Sequence, residues 1–177
     1  MGDSKLLTSW QPFEYNLETI KESRAQNGGK LIMKGILQKS DTLNQNGRIY
    51  PRPILEREVR NYQKFIQENR ALGECDHPES SVVELKNASH IIREAHMDGD
   101  ICYGTVELLD TPAGQILQSL VGSGVTLGIS SRGVGSTAHE GDYQVVQDDF
   151  QLICWDFVSE PSTPGAFMMR EGREISP

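Results

Sequence analysis

Two adjacent hydroxyls, Ser130 and Ser131, stand in Gly128-Ile129-Ser130-Ser131-Arg132-Gly133, an apolar-then-glycine segment where an ordinary strand carries packing residues. Upstream, His77 stands in Gly73-Glu74-Cys75-Asp76-His77-Pro78; downstream, Asp156 stands in Cys154-Trp155-Asp156-Phe157. A hydroxyl, an imidazole and a carboxylate are the nucleophile, the base that takes its proton and the group that orients the base. The chemistry such a set performs is acyl transfer through an activated serine, and a serine protease is the expectation.

Each residue also has a plainer reading. Neighbouring residues on a strand point to opposite faces, so only one of the two serines can meet a histidine on a given side. Either serine can instead fill a small site or hydrogen-bond the sheet. His77 precedes Pro78, which favours an extended or turn conformation able to present an imidazole at a cleft, or simply a capped loop histidine. His90 and His96 fall in a hairpin pattern and His139 in a Gly/Asp loop, where surface or strand-filling roles suffice. Asp156 lies among Ile153, Cys154, Trp155, Phe157 and Val158. A carboxylate there must face the exposed side or be paired, by a histidine or equally by an arginine.

Competing chemistries have less support. Cys75-Asp76-His77 could seed a metal site with Cys102 or Cys154, but Cys-x-x-Cys and His-Glu-x-x-His are both absent, so neither a metal nor a cofactor is expected. The cysteines sit in apolar or crowded contexts that suit buried fillers better than a thiol nucleophile. An esterase is disfavoured by the lack of a Gly-x-Ser-x-Gly elbow.

The elements that must position these groups follow from periodicity and turn residues. Residues 1–29 are polar, weakly patterned and end in Asn27-Gly28-Gly29, which predicts a partly flexible arm ahead of a single domain over 30–177. Leu31 to Leu37 reads as a strand, and Asn44 to Pro51 as a loop. From about Pro53 to Ala71, Leu55, Val59, Tyr62 and Ile66 form one apolar stripe while Glu56, Arg60, Lys64 and Glu68 take the other face, so a helix is predicted, ended by Gly73. Asn87–His96 and Ile101–Leu109 flank Asp98-Gly99, a hairpin signal. Thr111-Pro112 opens a second helix running to about Leu120. Leu127–Val134 is the serine-bearing strand, and Tyr143–Gln147 with Phe150–Val158 reads as a final hairpin around Asp148-Asp149. Residues 160–177 hold three prolines and look irregular. Short strands with two interposed helices indicate an α+β, mainly β fold, a helix-decorated barrel rather than a βαβ sheet.

With 37% hydrophobic and 24% charged residues the 177-residue chain can bury one core, and a net charge of −8 argues against a general nucleic-acid binder. There is no apolar run long enough to span a membrane and no signal-peptide pattern at the start. Three widely spaced cysteines cannot all pair and suit free thiols in a reducing compartment.

Three motifs in order resemble the capsid-maturation (prohead) serine proteases of large tailed bacteriophages, over about Lys30 to Pro164. They are Asn46-Gly47-Arg48-Ile49-Tyr50-Pro51 followed by Ile54-Leu55 and the amphipathic helix, Leu72-Gly73-Glu74 running to His77-Pro78, and Gly128-Ile129-Ser130-Ser131-Arg132-Gly133-Val134-Gly135-Ser136. That family is in turn similar to the herpesvirus assemblins, which implies a small β-barrel surrounded by helices. The resemblance puts the nucleophile at the first serine, Ser130, the base at His77 and the third member at Asp156, because His77 precedes Ser130 by 53 positions and Asp156 follows it by 26. It implies oxyanion donors around Ser131, Arg132 and Gly133. It further implies cleavage of phage scaffolding and capsid proteins, and of the protease itself, after glutamate with an aliphatic residue shortly before it. The place implied is the inside of the prohead in the host cytoplasm, and because assemblins dimerise, a homo-oligomer is allowed. The rival is a catalytically silent capsid or scaffold-assembly module of the same fold, in which His77 and Ser130 lie apart.

Overall fold

The computed structural model describes residues 4–13, 24–26, 28–44, 46–76 and 78–159. Ten strands and two helices of more than one turn are defined within them. Strands β1 (Lys5–Phe13), β7 (Leu127–Gly135) and β10 (Gln151–Val158) form an antiparallel sheet in the order β1-β7-β10. Strands β2 (Leu31–Lys39), β6 (Ile101–Leu108), β5 (His90–Asp98) and β4 (Leu72–Gly73) form a second antiparallel sheet in the order β2-β6-β5-β4. The two adjoin along β1 against β2 and along β4 against β10, where Cys75 bridges to Phe157, so the strands curl into a half-barrel. A small third sheet sets β9 (Tyr143–Val146) between β3 (Arg48–Ile49) and β8 (Thr137–Glu140).

The core lies inside this curl. Helix α1 (Arg52–Gln67) starts with Pro53 in its first turn and buries Leu55, Val59 and Tyr62 of the predicted stripe, with Ile54 beside them and Ile66 half-buried, against β5 and β10. Tyr62 meets Trp155 edge-on at 5.0 Å, and the Trp155 indole N–H donates to Gln38 at 3.2 Å, so the largest buried side chain keeps its polar atom satisfied. Glu58 is buried on the same helix, where its carboxylate accepts from the Leu152 amide, Arg57 and Asn61. Helix α2 (Pro112–Gly122) is capped by Thr111, whose hydroxyl accepts the Gly114 amide at 3.1 Å.

Within the N-terminal arm, residues 5–13 form β1 and pair along the whole of β7. One expectation is corrected. The final hairpin does not form: β9 pairs with β8 and β3, whereas β10 pairs with β7. Asp149 explains the divergence, since it turns back to accept from the Ser136 amide at 2.9 Å and the Ser136 hydroxyl at 2.7 Å. These bonds hold its carboxyl below its ordinary pKa and fasten the β9–β10 connection to the end of β7. Residues 160–177 lie outside the described residues.

Candidate active site

Ser130 and Ser131 occupy the middle of β7, the central strand of its sheet, and their side chains take opposite faces. Ser131 is fully buried toward the core beside the Tyr50 phenol, although the two hydroxyls do not reach good hydrogen-bond geometry. Burial pushes the Tyr50 pKa up to about 12, so this neighbour is neutral and offers no base. Ser130 takes the outer face, 3% exposed, and among the described residues its hydroxyl makes one long contact, 3.4 Å, to the Ser131 carbonyl.

A β-bulge decides what Ser130 faces. Leu152 pairs with Gly133, but Cys154 rather than Ile153 pairs with Arg132, so Ile153 is the extra residue. The register beyond it places Asp156 directly opposite Ser130 and Cys154 opposite Arg132, all on one face. Gly133 is required at the bulge, because a Cβ there would run into the Phe150 ring.

On this face Asp156 is paired by the arginine that was one of its two possible partners. Arg132 Nε donates to Asp156 Oδ2 at 2.9 Å and Nη2 to Asp156 Oδ1 at 2.9 Å, a bidentate fork. Nη2 also donates to Glu74 Oε2 at 2.9 Å, and Nη1 to the carbonyls of Ser80 at 2.8 Å and Val82 at 3.4 Å. The five N–H groups of a guanidinium are thereby all engaged. Burial by itself would lower the Arg132 pKa, but the bonds to Asp156 and Glu74 outweigh it and hold the pKa above its ordinary value. Asp156 Oδ1 accepts in addition from the Glu74 amide at 3.0 Å and the Cys154 thiol at 3.5 Å, whereas Oδ2 has one partner, Arg132 Nε, among the described residues. Glu74, Arg132 and Asp156 are 4%, 0% and 2% exposed, a buried cluster with one more negative than positive charge.

The groups expected as oxyanion donors have these partners. The Arg132 side chain has no donor left, and the backbone at Ser131, Arg132 and Gly133 has a strand on each edge, at Ser9, Thr8 and Leu7 on one side and Trp155, Cys154 and Leu152 on the other. Amides in such a strand are directed at their neighbours in the ladder rather than at a substrate.

His77 lies outside the described residues. Its flanking segment is tied down on both sides: the Asp76 amide donates to the Phe157 carbonyl at 2.8 Å, Ser80 and Val82 accept from Arg132, and the Glu84 amide donates to Glu74 at 3.3 Å. Residues 74–76 and 80–84 are therefore held at the outer face of β7 and β10. Beside them opens a cleft of about 480 Å³ lined by Asp76, Pro78, Ile116, Leu120, Leu127 and Phe157, with no lysine or arginine lining it among the described residues.

The remaining nucleophile and metal options find no support in the geometry. Burial pushes the Cys102 pKa up to about 12, and burial together with Asp156 pushes Cys154 well above the ordinary thiol value. Cys75 is also raised by burial, so none of the three is poised as a thiolate. Among the described residues no group of three His, Cys, Asp or Glu could hold a metal. His90 forms a second serine–histidine pair, with Ser89 Oγ at 2.7 Å from Nδ1, but the ring is fully buried. Its Nε2 lies 2.7 Å from the Trp155 carbonyl, an obligate acceptor, so the proton resides on Nε2 and Ser89 donates to Nδ1. Glu74 is the residue of this face that the sequence reading did not select. Its signal was present, since three charged residues each stood in a segment of core character, and only together do they account for one another.

The same architecture occurs in the solved capsid assembly protease of bacteriophage T4, with a TM-score of 0.79 covering 90% of this chain and 100% of that one at 24% identity. The sequence carries the kinship further: the prohead core protein protease of Enterobacteria phage T4 is 33% identical over 143 residues, which cover 78% of this chain and 68% of the relative. The chain is thus a peptidase-family protein of phage capsid assembly. A family model for the prohead core protein serine protease matches residues 14–176, and the chain belongs to that family.

Proposed function

We propose that this protein is the serine endopeptidase of phage head maturation, with Ser130 as nucleophile and His77 as base. Ser130 Oγ attacks the peptide carbonyl as His77 takes its proton; the imidazolium returns that proton to the leaving amine, and water then hydrolyses the acyl-enzyme by the reverse sequence. Asp156 serves as third member through Oδ2. The observation that carries the reading is Ser130 itself: a hydroxyl whose contact among the described residues is a single long one, on the face reached by the residues on either side of His77. The proposed substrates are scaffolding and capsid proteins, and the enzyme itself, cut inside the prohead in the host cytoplasm. The apolar wall of the cleft, from Ile116, Leu120 and Leu127, suits an aliphatic side chain near the scissile bond. If cleavage follows glutamate, its carboxylate is read by a cation outside that cleft. The half-barrel is read as an assemblin-like barrel, a kinship that also allows a homo-oligomer. No cofactor, nucleic acid or membrane enters this scheme.

The test is intact-mass analysis after treatment with a serine-reactive phosphonate, on wild type, Ser130→Ala and Ser131→Ala. One adduct lost only in Ser130→Ala, with turnover lowered by about 10³-fold or more, is expected. Loss only in Ser131→Ala would move the nucleophile to the core-facing serine. No adduct on any form would favour the catalytically silent assembly module.

A further inference from the structure

We infer that Arg132 is a positioning residue, a hub that holds the base-bearing segment 74–84 over Ser130 rather than a donor to the reacting carbonyl; the inference rests on the Ser130–His77 reading. Arg132 is two residues from Ser130 on the same face of β7, the most rigidly paired strand of its sheet. From there its guanidinium reaches two kinds of partner. Toward the sheet it forks onto Asp156, the residue opposite Ser130. Toward the segment it takes Glu74 at one end and the carbonyls of Ser80 and Val82 at the other.

These contacts bracket position 77. Glu74 is three residues before it and Ser80 three residues after it, and one planar group binds both. The Glu74 amide donates to the Asp156 carboxylate and the Asp76 amide to the Phe157 carbonyl, so the entry to the segment is fixed to β10, while its exit is held by Arg132 Nη1 and by the Glu84 amide on Glu74. The described part of the segment has few apolar anchors: Asp76 holds a left-handed φ of 67°, Val82 is 64% exposed, and Leu85, at the start of the following single-turn helix, is 77% exposed. A segment with few apolar anchors is positioned by its polar ones.

Lysine cannot substitute. It keeps the charge, but its three donors on a single nitrogen cannot span a bidentate carboxylate, a second carboxylate and two carbonyls pointing from different directions. A base displaced by about 1 Å lowers turnover by up to about 100-fold while the substrate cleft is left intact. The signature of the hub is therefore a loss in kcat with KM nearly unchanged, accompanied by loosening confined to the segment.

The experiment uses the full chain. Peptide hydrolysis and backbone hydrogen exchange are measured for wild type, Arg132→Lys, Glu74→Gln and Ser130→Ala. Expected for Arg132→Lys is a kcat about 100-fold lower, KM within about three-fold of wild type, and faster exchange at 79–84 with β7 protection retained. Glu74→Gln preserves shape and an acceptor but weakens one spoke, so a smaller fall of about ten-fold is expected, with the Glu84 amide as the local reporter. Arg132→Lys with wild-type kcat overturns the hub, as does exchange that quickens equally across β7 and β10, which would mark a purely global loss of stability. Should Arg132→Lys fail to fold, Glu74→Gln decides: unchanged kcat and unchanged exchange at Glu84 reject the inference. The Ser130→Ala control separates the two readings, since activity surviving there removes the nucleophile assignment whatever the Arg132 results.

Discussion

Acid should loosen this fold through one histidine. His90 is fully buried between Ser89 and the Trp155 carbonyl, with Phe157 edge-on at 4.7 Å, and its pKa is lowered from 6.5 to about 4, chiefly by burial. The neutral ring is the form the native state accepts, since Nδ1 must remain an acceptor for the Ser89 hydroxyl. The unfolded chain therefore binds a proton that the folded chain refuses between about pH 6.5 and 4, and stability must fall as pH falls through that window. Above pH 6.5 the full contribution is present; linkage gives a loss of about 2 kcal/mol by pH 5 and about 3 kcal/mol once the window is crossed. Asp156, Glu74 and Arg132 lie near enough to act on the ring, the carboxylates opposing the shift and the arginine favouring it.

The perturbation is His90→Asn, which cannot titrate, and the assay is urea unfolding of wild type and variant at pH 7.5 and pH 5. The variant is less stable at pH 7.5, because a buried bonding site is emptied. The deciding quantity is the difference between the two proteins. It should shrink by about 2 kcal/mol on acidification, because other groups that titrate do so in both proteins and cancel. A difference that stays constant with pH refutes the reasoning, as does a His90 ring titrating near 6.5 by NMR in the folded protein.

Two further substitutions test the packing argument. Gly133→Ala drives a methyl group into the Phe150 ring and the Gln151 carbonyl at the bulge and should lower stability by about 1–3 kcal/mol in thermal or urea unfolding; a neutral result would mean that Phe150 yields freely. Thr111→Ala removes the cap of α2 and a bond from the hydroxyl to the Ala88 carbonyl, at an expected cost of about 1–2 kcal/mol, with Thr111→Ser restoring most of it.

The parts of the fold that could be read from the sequence are those fixed by near neighbours. The stripe of Leu55, Val59 and Tyr62 marks α1, Asp98-Gly99 turns β5 into β6, and Thr111-Pro112 starts α2. Strand β1 left no such mark, because its partner β7 lies more than a hundred residues away and pairing at that distance is invisible to local pattern. The expected final hairpin failed for the converse reason: adjacency favoured β9 with β10, whereas the Asp149–Ser136 bonds and the Gln147 amide on the Ser136 carbonyl show that the chain has already returned to β7. At the site, the opposite facing of Ser130 and Ser131 follows from strand alternation alone. The pairing of Asp156 does not, since histidine and arginine were equally able to satisfy it and the choice depends on where Glu74 arrives. Arg132 was named only as one of three residues around the oxyanion donors, and its sequence context gave no sign that folding would commit every N–H of its guanidinium.

The bulge at Ile153 carries a meaning for how such a site tolerates change. Side chains on a strand alternate, so without the extra residue Trp155 would stand opposite Ser130, the indole would leave the core, and Asp156 would turn to the other face. One inserted residue thus acts as a frame marker for the outer sheet: it keeps aromatic bulk inward and acid outward along a stretch where strict alternation would exchange them. Single-residue insertions or deletions in β10 are accordingly far more disruptive here than most substitutions, and a compensating shift must fall between Gln151 and Cys154 to bring the carboxylate back into phase.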